Sequence, residues 1–165
     1  MRRFGGSIGS LALLLLSGCL YSLAGGGLPP NIHTMAISTF DNQTASPDVT
    51  KELFDRMHDE LQHKLGVRDA PAERADALVK GVIQTYDADV PVGFSANPQQ
   101  ALSARRHLKI TIEVDIVDQS NGRLLFTKKA LTAEADYNER AEAEGRKQAI
   151  VKLVQQIVDG VQSNW

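Results

Sequence analysis

The chain has 165 residues, 42% hydrophobic but only 5% aromatic, with 18 basic and 20 acidic residues for a net charge of −2. This length supports one domain with a single core, built mainly from Val, Ile, Leu and Ala. The near-neutral balance argues against a nucleic-acid partner, and a lone cysteine excludes an internal disulfide.

Arg2 and Arg3 precede an apolar run from Ile8 to Leu16, closed by Leu16-Ser17-Gly18-Cys19. The run is shorter than the roughly 20 apolar residues of a membrane-spanning helix, so it reads as a secretory signal peptide. Its ending resembles a bacterial lipobox, in which the cysteine is acylated and becomes the new N-terminus. Arg2, Arg3 and the surrounding glycines argue against the alternative, a buried thiol in a core helix. The expectation is a lipoprotein signal peptide over residues 1–18, lipidation at Cys19, and a lipidated N-terminus with a short tether over 19–31. A diacylglyceryl group plus an N-acyl chain exceeds the two-signal requirement for stable anchoring. Leu20, where Asp would favour inner-membrane retention, points to the outer membrane. Loss of Arg2 and Arg3 leaves 16 basic against 20 acidic residues, a net charge of −4.

One domain is expected over 32–165. Leu28-Pro29-Pro30-Asn31 forms a stiff lead-in. Ile32–Phe40 reads as a first strand, ended by the turn pair Asp41-Asn42. Ser46-Pro47-Asp48 reads as a helix start with Ser as the cap and Pro at the first position. Val49, Leu53, Met57, Leu61 and Leu65 then form one helical face, and Gly66 is placed to end it. Val67-Arg68-Asp69 is compatible with a short strand, and Pro71–Ala75 with a loop.

Ala77–Asp89 carries apolar residues on both faces, as suits an interior strand. Val79, Ile83 and Thr85 fall on one side and Leu78, Val82 and Tyr86 on the other. Val90–Ala104 is a long connection with two prolines, of a length usually functional or disordered. Arg105–Asp118 alternates strictly: Leu108, Ile110, Ile112, Val114 and Ile116 face a core, and Lys109, Thr111, Glu113 and Asp115 face water or a wet partner. Gln119-Ser120-Asn121-Gly122 supplies a hairpin turn, and Arg123–Ala133 returns as the partner strand. A last helix from about Asn138 to Gln162 carries Ile150, Leu153, Val154, Ile157, Val158 and Val161 as its stripe. Its charged first half, Glu139 to Gln148, is expected to project beyond the sheet. The order strand-helix-strand-strand-strand-helix predicts an α+β two-layer sandwich: a mostly antiparallel four-stranded sheet with two helices packed on one face.

No catalytic pattern emerges. His58 and His63 are five apart and share no metal-binding face; His33 and His107 are isolated. No nucleophile elbow or phosphate loop occurs, and Asp87/Asp89 and Glu113/Asp115 are accounted for by a polar strand face. We expect no enzyme activity, no metal and no cofactor. Arg105, Arg106 and Lys109 open the clearest strand, and Arg123, Lys128 and Lys129 lie on its partner. They suit either a phosphate-binding patch near Arg140 or a solvated sheet face with edge-protecting lysines.

Stretches spread along the chain carry a family resemblance. Cys19-Leu20-Tyr21-Ser22-Leu23, Leu28-Pro29-Pro30 and Ala36-Ile37-Ser38-Thr39-Phe40-Asp41-Asn42-Gln43-Thr44 resemble the start of the lipopolysaccharide-assembly lipoprotein family, LptE. Ala75-Asp76-Ala77-Leu78-Val79-Lys80-Gly81 resembles that family's next strand, and Val114–Asp118 with Asn121-Gly122 and Leu125-Phe126 its long hairpin. Leu20 departs from a common Gly. The resemblance implies a non-enzymatic outer-membrane lipoprotein, lipid-anchored and facing the periplasm or lying inside a barrel lumen. It implies that the protein plugs and helps assemble an LptD-type β-barrel and assists lipopolysaccharide delivery to the outer leaflet. It also implies lipopolysaccharide contact by basic residues, nearest here to Arg105, Arg106 and Arg140. An alternative is a lipoprotein regulator of a periplasmic enzyme such as a peptidoglycan synthase; the short tether favours a partner in the same membrane.

Overall fold

The computed structural model describes residues 27–91, 105–138 and 140–163. The expected signal peptide, Cys19 and most of the 90–104 connection therefore lie outside the described residues. The elements are β1 (Thr34–Ile37), β2 (Asp41–Asn42), α1 (Asp48–Leu65), β3 (Arg68–Asp69), β4 (Ala77–Pro91), β5 (Arg105–Asp118), β6 (Leu124–Asn138) and α2 (Glu142–Ser163).

The two-layer α+β architecture with two helices is as expected, but the sheet has six strands in the order β3-β1-β4-β5-β6, with β2 also on β4. It is mixed rather than mostly antiparallel by strand count. β1 runs parallel to β3 and β4, and β2 runs parallel to β4. The cause is α1: a helix between two neighbouring strands carries the chain back to its starting end, so the strands align in parallel. β4, β5 and β6 form the expected antiparallel meander.

The first strand is interrupted at Ser38, and Asp41-Asn42 is a second short strand instead of a turn. The turn follows it. Asn42 Oδ1 accepts from the Thr44 backbone N–H (2.8 Å) and hydroxyl (2.7 Å), while its Nδ2 donates to the Ser46 carbonyl (2.8 Å). Ser46 is thus not the helix cap; Pro47 occupies that position without a side-chain bond. Gly66 ends α1 as expected, with φ of 67° and its N–H on the Gln62 carbonyl at 3.1 Å.

Leu108, Ile110, Ile112, Val114 and Ile116 are all fully buried and pack with Val49, Leu53, Met57, Leu153 and Ile157 in one core. β4 changes face along its length. A register shift between Ile83 and Thr85 adds one residue. Val79 and Ile83 are buried before the shift, and Tyr86 and Ala88 pack against the core after it. Thr85, expected beside Ile83, is consequently exposed.

β6 extends five residues beyond the expected Ala133, pairing Asn138 with Arg105. α2 starts at Glu142, and its charged first turns do not project. Gly145 and Arg146 are buried there, and a Cβ on Gly145 would approach Tyr137 to 2.9 Å.

Candidate functional site

The strand alternation leaves one sheet face uncovered by helices, and its polar side chains bind one another across β5 and β6. His107 Nδ1 lies 2.8 Å from Asp136 and its Nε2 3.3 Å from Glu134, with Lys109 3.9 Å from Glu134. Thr111 and Thr132 hydroxyls are 3.1 Å apart, and Thr127 donates to Asp115 at 2.6 Å. Lys129 bridges Glu113 and Asp115. Each exposed pair contributes only about 0.2–1 kcal/mol. Together they make a wettable surface on which four carboxylates meet two lysines and a histidine.

At the far end of β5, Arg105 lines a shallow cleft of about 330 Å³ with Asp136, Tyr137, Asn138, Ala141 and Glu144. Arg105 is exposed and opposite Asn138, two residues before Arg140, which is also exposed. Arg106 is opposite Tyr137, on the face that carries Leu108. Consecutive strand residues point to opposite faces, so Arg105 and Arg106 do not share a surface. Arg123 lies beyond the opposite end of β6, and Lys129 is engaged by two carboxylates. The basic residues singled out in the sequence are therefore dispersed; Arg105 and Arg140 are both exposed at the same end of the sheet, and Lys109 shares the strand face of Arg105 four residues along.

Behind the cleft is a polar cluster not anticipated from the sequence. Arg146 grips Glu52 with both ends of its guanidinium, Nε at 3.0 Å and Nη2 at 2.8 Å. Asp48 and Glu142 each lie 3.8 Å away, and the Tyr86 hydroxyl donates to Glu142 at 2.6 Å. Glu52 pushes the Arg146 pKa further up, despite the opposing effect of burial. Burial first, and Glu142 next, push the Tyr86 hydroxyl up to about 12. The cluster joins the starts of both helices to β4. One signal was readable: Arg146 sits three and four residues before Ala149 and Ile150, on the extension of the apolar stripe.

The opposite end of the sheet is tied by two carboxylates. Asp118, 1% exposed, accepts from Ser120 N (2.9 Å), Ser120 Oγ (2.6 Å), Asn121 Nδ2 (2.9 Å) and Asn31 Nδ2 (3.0 Å). These bonds, led by Ser120 and Asn31, hold its carboxyl down at about 2. Asp76 accepts from the backbone of His33 (2.9 Å) and from Thr34, whose N–H and hydroxyl both lie at 2.8 Å; the His33 bond leads in lowering its pKa. The lead-in before β1 is thereby pinned to the β5–β6 turn.

Among the described residues, no group of three or more His, Cys, Asp or Glu is placed to hold a metal. His58 bonds Gln62 at 2.9 Å and stacks on Phe54.

The family model for LptE, lipopolysaccharide-assembly, matches residues 32–161. No curated protein matches. Three solved structures share the fold. A Xanthomonas campestris protein of the DUF330 family has 11% identity and a TM-score of 0.59 over 84% of this chain and 91% of its own. A variant PelC dodecamer from Paraburkholderia phytofirmans has 19% identity and a TM-score of 0.54 over 83% and 93%. A minor lipoprotein from Acinetobacter baumannii has 15% identity and a TM-score of 0.53 over 81% and 94%. At these identities the likeness is one of fold. The family match spans most of the folded region, and the chain belongs to the LptE lipopolysaccharide-assembly family.

Proposed function

We propose that the chain is an outer-membrane lipoprotein that seats in an LptD-type β-barrel, helps it assemble and assists lipopolysaccharide delivery to the outer leaflet. The role is non-enzymatic. Residues 1–18 are the signal peptide, Cys19 carries the lipid, 19–31 form the tether and 32–165 the working domain. The observation that carries this reading is the family match over residues 32–161. The uncovered sheet face supports it: a wettable, internally hydrogen-bonded polar surface suits a polar, water-lined barrel interior.

Purification of the native protein from detergent-solubilised outer membranes tests the reading. A β-barrel protein should co-elute in stoichiometric amount. Recovery of a periplasmic synthase with no barrel protein would replace the plug by an enzyme regulator.

Within this reading, Arg105, Arg106 and Arg140 contact lipopolysaccharide phosphates. Arg105 and Arg140 have the stronger support, being exposed at one end of the sheet; Arg106, on the opposite strand face, contributes less. Exchanging Arg105 and Arg140 for Glu should weaken lipopolysaccharide binding with the circular dichroism spectrum unchanged. Undiminished binding would return these residues to an ordinary solvated surface.

A further inference from the structure

β6 is the last strand of the sheet, and among the described residues no strand lies along its outer edge. An uncovered edge offers unpaired N–H and C=O groups to an extended chain. α2 covers this edge unevenly. Near its middle, Lys152 Nζ donates to the Glu134 carbonyl at 2.7 Å and Gln156 Nε2 to the Thr132 carbonyl at 3.5 Å. Over the first part of β6 the helix presents Gly160 and Ser163, and the Ser163 hydroxyl donates to the Gly160 carbonyl instead. A groove of about 490 Å³ remains there, lined by every residue from Leu124 to Lys128 and by Gly160 and Ser163. A groove on one sheet face would meet only alternate strand residues; this one meets five in succession, so it follows the strand edge. The helix lies close here, since a Cβ on Gly160 would come within 2.3 Å of the Phe126 ring. Leu124 beside the groove is 51% exposed.

We infer that this edge is the docking site of the chain's own segment Leu20–Ala24, which adds to it as a further strand antiparallel to β6. The occupant follows from where the described chain begins. Asn31 bonds Asp118, whose N–H donates to the Arg123 carbonyl at 2.9 Å, one residue before β6. Residues 25–30 extend up to about 20 Å, whereas the slot beyond β6 lies two strand spacings, about 10 Å, from β5. The segment therefore reaches the groove, and with its C-terminal end at the β5–β6 turn it runs opposite to β6. Tyr21 and Leu23 alternate with Ser22 and Ala24, the two-residue period of a strand, and no charge interrupts Leu20–Gly27. Main-chain pairing supplies the attraction, as in strand addition generally. Covering the edge also keeps it from pairing with other chains. The added strand does not depend on lipidation. The place it gives the acyl group, alongside β6 instead of at the turn, rests on acylation at Cys19.

The test is amide hydrogen exchange, read by mass spectrometry on the full acylated protein in detergent micelles. Amides of residues 20–24 should exchange at least about tenfold more slowly than in a free peptide of the same sequence. Tyr21→Pro with Leu23→Pro removes two donors that a strand ladder needs, at positions ahead of the core. This double variant should speed exchange of the outward amides in 124–128 about tenfold, with the melting temperature of the domain kept. Exchange of 20–24 at the free-peptide rate overturns the added strand. So does protection of 124–128 that survives both prolines, whether it rises with protein concentration, as a second copy on the edge would make it, or not. The mass of the N-terminal peptide reports the anchor separately. Acylated Cys19 with unprotected 20–24 overturns the strand and leaves the anchor standing; protected 20–24 without acyl mass overturns the anchor alone.

Discussion

Arg146 and Asp118 are polar residues placed where an apolar pattern would put hydrocarbon. Arg146 interrupts the α2 stripe, and its charge is retained because Glu52 meets the guanidinium at two points. Removing one member of such a pair leaves the other uncompensated, and the partial exposure of Glu52 softens the cost. Arg146→Met should therefore destabilise the fold by about 2–3 kcal/mol in urea denaturation; a change below about 0.5 kcal/mol would show that the pair contributes nothing net. Asp118 and Asp76 make stability depend on pH. Both carboxyls titrate lower in the folded chain than the usual unfolded value of about 3.9. Their stabilisation is complete above that value and is lost as pH falls through the folded value, about 2 for Asp118. Thermal melts should show the gap between wild type and Asp118→Asn constant from pH 7 to about 5 and closing below about 4. A gap of the same size at pH 2.5 and pH 7, on the order of the unfolded and folded values just given, would contradict this account.

At the scale of elements, strict periodicity was the reliable signal. β5 occupies its expected range because five apolar residues alternate with polar ones without a break, and the stripe of α1 is likewise buried from Val49 to Leu61, with Leu65 partly buried at its end. Readings that depended on neighbours fared differently. Asp41-Asn42 has turn-like residues, yet it adds to β4 because the preceding chain already runs beside that strand. The change of face in β4 had no local mark, since an extra residue at Gln84 is defined only by what β5 pairs with. Gly81 is a further case. A Cβ there would collide with the Glu113 carbonyl oxygen and the Phe40 ring, so this strand position is closed to side chains by its partners. Gly81→Val should cost about 2–3 kcal/mol, as overpacking does, measured by urea denaturation. A loss below about 0.5 kcal/mol would mean the ring and strand yield easily.

At the scale of the whole molecule, the core is separate from the proposed lipid anchor. The buried cluster starts at Ile32, with Leu28 partly packed against it, and residues before 27 lie outside the described part. Cys19→Ala should therefore leave the melting temperature of the purified protein within about 2 °C of wild type while moving it from the membrane to the soluble fraction of a cell lysate. Continued membrane retention would place the anchor elsewhere. The sequence by itself determined the two-layer α+β class, the two amphipathic helices, the long hairpin and the family, because each is written in local spacing or in short ordered motifs. The resemblance reaches that family from residues spread along the chain, and the match over 32–161 agrees. Only the tertiary structure decided that three strand pairings are parallel, that Arg105 and Arg106 face opposite ways, and that Asn31 is held at the β5–β6 turn. Those properties belong to pairs of segments far apart in the chain, and pairing and register set them where one-dimensional spacing carries no record of them.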